Sequence, residues 1–230
     1  TNIPLLRADD FLKLKQQAKL PNSFVVLFGK NSGKEIQLKR AESIELSLDW
    51  VMAVVIDRAL SAIIPIEVQS MDTTGNYRDN WEAYSRELPK IPESEHGINW
   101  ANVWKRLIPQ LILKGSISAT SSLCKFGHYF IVPDIVYARF ERLIGEIKNS
   151  EAPGPGIMTV MTYALGPETP FGEMRSLKRL RTARVRTTDF AEAFASGKQL
   201  PLGTDLDNQV IGLLGTLSDP MFAQQGRKSR

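Results

Sequence analysis

The sequence predicts an α+β chain built on a central mixed β-sheet flanked by helices. Three observations carry that prediction. Runs rich in β-branched and aromatic residues, SFVVLF, KEIQLKR, SIELSLDWVMAVVID and SAIIPIEVQ, crowd into the first third of the chain. Segments of helical period then follow, and further strands alternate with helices after them. Finally, 230 residues with 43% hydrophobic and 23% charged content can bury a core without a disulfide or metal staple, so disorder is not the main state.

The elements are expected in this order. ADDFLKLKQQAKL at 8–20 places Phe11, Leu12, Leu14 and Ala18 near one helical face, with Asp9 and Asp10 in the first turn and Pro21 as the stop. The four apolar runs then form a mostly antiparallel sheet, FGKNSGKE at 28–35 serving as a hairpin turn. TGNYRDNWEAYSREL reads as an amphipathic helix whose packed face carries Tyr77, Trp81, Tyr84 and Leu88 and which Pro89 ends. After the loop KIPESEHG, a helix from Asn99 shows Trp100, Val103, Trp104, Leu107 and Leu111 on one face. Pro109 kinks it or marks a junction, and Gly115 is its C-cap. HYFIV at 128–132 is a strand, 133–147 a helix begun by Pro133, EAPGPG a linker, and GIMTVMTYAL another strand. A helix capped near Thr188 and a last one over DLDNQVIGLLGTL complete the pattern. Residues 1–222 are expected as a single domain with a core at 40–140 and a further half at 156–222, and 223–230 as a frayed tail.

Composition excludes several classes. The single cysteine, Cys124, can form neither an internal disulfide nor a CxxC knuckle, which fits a reducing, cytoplasmic setting. No apolar run is long enough to span a membrane, so no membrane partner is expected. The first residues show no signal-peptide pattern, and a start without Met is expected of a fragment or a processed product. His96 and His128 are the two histidines, and neither lies beside a GxSxG elbow. His128 reads as a core or sheet-edge residue, and Trp50, Trp81, Trp100 and Trp104 as core anchors. Phosphate-loop and dinucleotide-binding fingerprints are absent. A small-molecule cofactor enzyme therefore has no motif behind it.

The informative stretch is SLDWVMAVVIDRALSAIIPIEVQ. Asp49 opens an apolar strand, and Glu67-Val68-Gln69 ends the next. Residues i and i+2 of a strand share a face, so Glu67 and Gln69 project together. Two antiparallel neighbours joined by a short turn place Asp49 beside Glu67. Such a pair offers hard oxygen ligands to Mg²⁺, and Gln69 supplies a polar group at the metal or the attacking water. Glu45 and Asp57 share strand parity with Asp49 and are rival ligands, with Glu42 a weaker one. A structural role for Glu67, paired to a surface arginine, is the competing explanation.

Three segments carry a resemblance. IEVQSMDTTGNYRDNW at 66–81, NVWKRLIPQLILKG at 102–115 and LCKFGHYFIVPDIVY at 123–137 together resemble the NotI-like type II restriction endonucleases of the PD-(D/E)xK nuclease superfamily, over roughly residues 40–140. The resemblance implies a restriction-endonuclease-like α/β/α fold, with Asp49, Glu67 and Gln69 as the catalytic set and Asp49 and Glu67 as Mg²⁺ ligands. It also implies that metal, rather than an ammonium group, gives most of the electrophilic help. Two departures stand out: Leu48 precedes the acid where the superfamily has proline, and the chain has no cysteine-ligated metal module.

Other residues divide between two readings. Asp72-Thr-Thr-Gly-Asn-Tyr follows the ExQ strand, where it caps and turns into the next helix or shapes a phosphate path. Lys105, Arg106 and Lys114 lie on the Trp-rich helix as phosphate contacts, or for Lys114 as a C-terminal dipole partner. RSLKRLRTARVR carries Arg175, Lys178, Arg179, Arg181, Arg184 and Arg186 without an acid. That density suits a polyanion, although a solvated face would have the same composition. Arg184 and Arg186 share a side if the segment is a strand, which suits base reading.

The expected activity is thus Mg²⁺-dependent cleavage of double-stranded DNA at a specific, palindromic, GC-rich site by a homodimer. A cognate DNA methyltransferase is implied as its partner in a restriction system. A shape-directed repair or recombination nuclease and a non-catalytic sequence-specific DNA-binding protein are the rivals.

Overall fold

The computed structural model describes residues 3–29, 36–40, 44–70, 78–88, 90, 93, 97, 99–145, 147–170, 173–196 and 203–215. The expected turn residues 30–35, Glu42, the segment 71–77 with Asp72, Thr73, Gly75 and Tyr77, Pro89, His96 and the tail 223–230 lie outside them. So do the side chains of Glu45 and Trp104.

The chain is mixed α and β, with a central seven-stranded mixed sheet flanked by helices. In chain order the elements are β1 (Leu5–Arg7), α1 (Ala8–Gln16), β2 (Phe24–Gly29), β3 (Ile36–Arg40), β4 (Ile44–Leu48), β5 (Trp50–Ile56) and β6 (Ala59–Val68). Then come α2 (Arg78–Ser85), α3 (Trp100–Asn102), a π-helical turn (Val103–Leu107), α4 (Ile108–Ala119), β7 (His128–Pro133) and α5 (Asp134–Ile144). The last are β8 (Ile157–Leu165), β9 (Leu177–Arg186), α6 (Thr187–Ala195) and α7 (Gly203–Gly215). Strand order in the large sheet is β1-β2-β5-β6-β7-β8-β9, and β3 pairs with β4 apart from it. The early strands meet the antiparallel expectation at β2–β5 and β5–β6, whereas β1–β2, β6–β7 and β7–β8 run parallel.

The run expected as one strand, SIELSLDWVMAVVID, divides at Asp49 into β4 and β5, which belong to different sheets. Strand β5 then turns back into β6 through Asp57 and Arg58, whose φ angles of 48° and 66° give the double left-handed turn that matches strand twist. Asn22 and Ser23 hold this turn: Arg58 Nε donates to Asn22 Oδ1 at 2.8 Å and the Asp57 amide to Ser23 Oγ at 3.0 Å. Ser61 is an extra residue in β6, because pairing shifts between Val54↔Ala62 and Val55↔Leu60.

Register assigns the faces. Phe28↔Val51, Val51↔Pro65 and Glu67↔Phe130 are cross-strand neighbours, so Phe28, Val51, Pro65, Glu67 and Phe130 share one face. Helices cover it: Phe11 of α1 packs on Phe24 and Phe28, Phe140 of α5 stacks on Phe130, and Phe190 of α6 meets Phe140 edge-on. Ile108 and Leu111 of α4 join the same core.

Four expectations need correction. Helix α1 ends at Gln16 rather than near Leu20, because Ala18 turns left-handed at φ 53°. The face foreseen on α2 is not packed: Trp81 is 60% exposed and Leu88 51%, and Trp81 lies against Tyr84 at the surface, so Trp81 is no core anchor. Helix α5 closes at Ile144, where Gly145 takes φ 83°, rather than at 147. Gly115 is not a C-cap, since α4 continues to Ala119. It is an interior residue against which β7 and α6 close: an added Cβ would stand 2.6 Å from His128 Cε1 and 2.7 Å from Thr187 Oγ1.

His128, foreseen as a core residue, is 1% exposed. Burial, with the Lys114 charge nearby, lowers its pKa from 6.5 to about 4. Folding therefore excludes a proton that the unfolded chain takes up below pH 6.5. Stability from this group is complete above pH 6.5 and is lost as pH falls through about 4, by on the order of 3 kcal/mol in all. Urea titrations at pH 7 and pH 4.5 should show His128→Gln losing less stability on acidification than the wild type. Gly115→Ala should destabilise by about 1–3 kcal/mol through overpacking, although helix propensity alone would make it stabilising. A rise in melting temperature would show that the His128 contact is loose.

Candidate active site

The site grows from the open end of the β5–β6 hairpin. Leu48, 7% exposed, anchors the end of β4, and Asp49 occupies the bend before Trp50. Because Trp50 pairs with Ile66, the next positions outward are Asp49 and Glu67. Asp49 is held there by its own side chain, whose Oδ2 accepts the Val68 amide at 2.9 Å. Strand alternation then turns Glu67 inward and Val68 outward, at 6% and 45% exposure.

Glu67 faces helix α4. Lys114 Nζ donates to its Oε2 at 2.6 Å, and both side chains are almost wholly enclosed. Burial raises the Glu67 pKa from 4.5 to about 7. Lys114 pulls it down without cancelling that effect, and the Asp49 charge pushes it up further. Its second oxygen, Oε1, is buried without a hydrogen-bond partner. A buried carboxylate oxygen lacking a protein donor is an acceptor open to water, a proton or a cation. With Asp49 alongside, the donor set is two carboxylates, which fits a hard divalent ion completed by water and phosphate oxygen. Among the described residues no group of three or more His, Cys, Asp or Glu comes together.

Gln69 continues the row. Its amide donates to Ile131 O at 2.9 Å, so pairing with β7 extends past Val68, and its Nε2 donates to Ser70 O at 2.8 Å. A cavity of about 210 Å³ opens beside it, lined by Gln69, Asn102, Val103, Arg106, Leu107 and Gln110. Arg106, Gln110 and Lys114 recur every four residues and so share a helix face. Asn99 starts this helical stretch by accepting the Asn102 amide at 3.1 Å.

The sequence-derived candidates separate clearly. Asp49, Glu67 and Gln69 meet at one end of β6, and Lys114 joins them from α4. A C-terminal dipole role for Lys114 is overturned, because five more helical residues follow it and its ammonium is engaged by Glu67. The rival Asp57 is in the turn at the opposite end of β6, roughly 30 Å along the strand from Glu67. The rival Glu45 is in β4 opposite Lys39, in the small sheet. Lys105 is exposed on the π turn but does not line the cavity. Gln110 was missed by sequence reasoning, although its four-residue spacing from Lys114 was the available signal.

The basic segment runs from Arg175 into β9, at the far edge of the sheet. Its cations are not equivalent. Arg181 is fixed, bonding Asp134 and Glu141 at 2.8 Å each and lying 5.2 Å over the Tyr137 ring. Arg175 donates twice to the Gly166 carbonyl, and Arg184 Nη1 to the Glu151 carbonyl at 3.3 Å. Lys178, Arg179 and Arg186 are exposed. Arg184 and Arg186 lie on the side of β9 opposite the buried Val185.

The chain matches no family model and no curated protein sequence. Among the described residues no helix is long and apolar enough to cross a membrane.

Lys114→Ala leaves Glu67 buried without its counter-charge and should cost about 3–5 kcal/mol at alkaline pH. The variant's Glu67 pKa rises further, so its penalty shrinks as pH falls and the carboxyl protonates. Denaturant unfolding at pH 8.5 and pH 5.5 checks this, and an equal loss at both would show that packing, not charge, is what the lysine provides.

Proposed function

We propose that the chain is a Mg²⁺-dependent endonuclease of double-stranded DNA, of the type II restriction class, that cuts at a specific palindromic, GC-rich site. The observation that carries the reading is the convergence of Asp49, Glu67 and Lys114 at the end of β6, with one Glu67 oxygen buried and unbonded. Two carboxylates alone could be structural. An acid desolvated to a pKa of about 7 and kept beside a lysine is a less ordinary arrangement, and perturbed acids of this kind favour a catalytic site.

Asp49 and Glu67 are the residues that hold Mg²⁺ in this reading. When bound, the ion supplies charge stabilisation at the phosphate and acidifies water. The protein's own groups do the rest. Lys114 holds Glu67 in one rotamer and favours its ionised form. The ammonium is itself enclosed and engaged by Glu67, so it acts through that carboxylate and not on phosphate directly. The electrophilic help in this reading thus stays with the metal, as the resemblance implies. Gln69, whose position implies assistance to water or metal, is pinned by its bond to Ser70. A homodimer supplies one such centre per strand of a palindrome, and Lys178, Arg179 and Arg186 are its exposed cations for DNA contact. A cytoplasmic location and a cognate methyltransferase belong to the same reading.

Digestion of high-GC phage DNA with Mg²⁺, against EDTA, tests it. Discrete fragments whose ends share one palindrome are expected. Glu67→Gln, which preserves shape, should cut at least about 100-fold more slowly while still binding duplex, and Asp49→Asn should behave alike. A metal-dependent smear would move the assignment to a shape-directed nuclease, and DNA left intact by folded wild type would overturn the enzymatic reading.

A further inference from the structure

We propose that Arg106, Gln110 and Gln69 form a phosphate-binding subsite, which seats a backbone phosphate neighbouring the one addressed by Asp49 and Glu67. The nucleic-acid part of this assignment rests on the nuclease reading above. The anion-binding part rests on the cavity itself.

Two rows of side chains run alongside each other here. On β6, Glu67 and Gln69 are two residues apart on one face, a step of about 6–7 Å. On the helix, Lys114, Gln110 and Arg106 are four residues apart, each step about 6 Å. Lys114 is opposite Glu67, and Gln110 and Arg106 are opposite Gln69 across the 210 Å³ cavity. Helix and strand are therefore antiparallel, and movement away from the carboxylates leads into a space walled by one guanidinium and the three primary amides of Gln69, Asn102 and Gln110.

That lining is unlike the carboxylate end. No acid lines the cavity, and among the described residues no carboxylate pairs with Arg106. An arginine fork with amide N–H groups beside it matches a phosphate oxygen pair, whereas a cation would meet repulsion. Gln69 uses one amide proton on Ser70 and keeps a second. The π-helical turn at Val103–Leu107 forms the cavity wall, a distortion that recurs at functional sites because it re-aims side chains on one helix face. Neighbouring phosphates of one strand are separated by about one step of these rows, so a phosphate at the carboxylates places the next within reach of Arg106.

Two measurements on the intact chain test this. In the first, ¹⁵N-labelled protein is titrated with inorganic phosphate at low ionic strength while arginine Nε–H resonances are followed. The signal absent from Arg106→Ala should shift saturably in wild type. Lys13→Ala, which removes one exposed charge from α1, should titrate as wild type does. In the second, a mixed-sequence duplex is bound in EDTA over a salt series. Arg106→Ala should bind about tenfold more weakly, with the slope of log K against log salt reduced by about one, and Gln110→Ala should weaken binding with little change of slope. An unmoved Arg106 resonance with an unchanged slope overturns the subsite. A phosphate shift without any effect on duplex binding overturns its assignment to nucleic acid and leaves a site for free phosphate. Both effects present in a wild type that never cuts DNA would sustain the subsite while removing the nuclease reading.

Discussion

A carboxylate and an ammonium enclosed together between a strand and a helix are the constraint on which this molecule is organised. Glu67 and Lys114 could not be buried singly, since either charge alone would lose its hydration without compensation. Paired, they fix the depth and rotation of α4 over β6. Everything near the site inherits that placement. The buried face of α4 meets Phe130 and its neighbours in the core, and the row from Lys114 to Arg106 is aimed along the outer end of the strand. The pair is incomplete as a structural device, because one Glu67 oxygen has no donor.

How much of this was legible follows from which interactions are local. The hairpin carrying the acids was readable because period-two patterning and a short turn are sequence-near properties, and Asp49 and Glu67 were singled out on that basis. The role of Lys114 was not readable. Its partner is 47 residues away, and helix spacing alone places a lysine on a face without saying what the face meets. Gly115 misled for a related reason. Glycine near an expected helix end signals a cap when φ must be positive, but here it makes room for His128 and Thr187, a requirement visible only after β7 and α6 are packed. The helix α2 shows the reverse case: its aromatic spacing is that of a packed face, yet Trp81 and Tyr84 meet each other at the surface.

The basic segment illustrates how composition overstates a single function. Six cations in twelve residues suggest one polyanion surface, yet the fold distributes them among different tasks. Arg181 ties the strand to α5 through two carboxylates and a tyrosine ring, and Arg175 closes the β8–β9 connection through a carbonyl. What remains for a partner is a subset at exposed positions. Arginine is suited to both uses, since its planar fork serves equally as an internal clasp and an external reader.

The extra residue in β6 sets something larger than a local bend. Beyond Ser61 the paired residue numbers in β5 and β6 sum to 116, and between Ser61 and the turn they sum to 115. Had the shorter count continued to the end of the hairpin, Asp49 would stand across from Ile66, and Glu67 would point to the other side of the sheet. Both acids would still be present, in the same order and at the same spacing, and they would never meet. Whether the two acids meet is thus an odd-even property of one strand, decided at Ser61, six residues before Glu67.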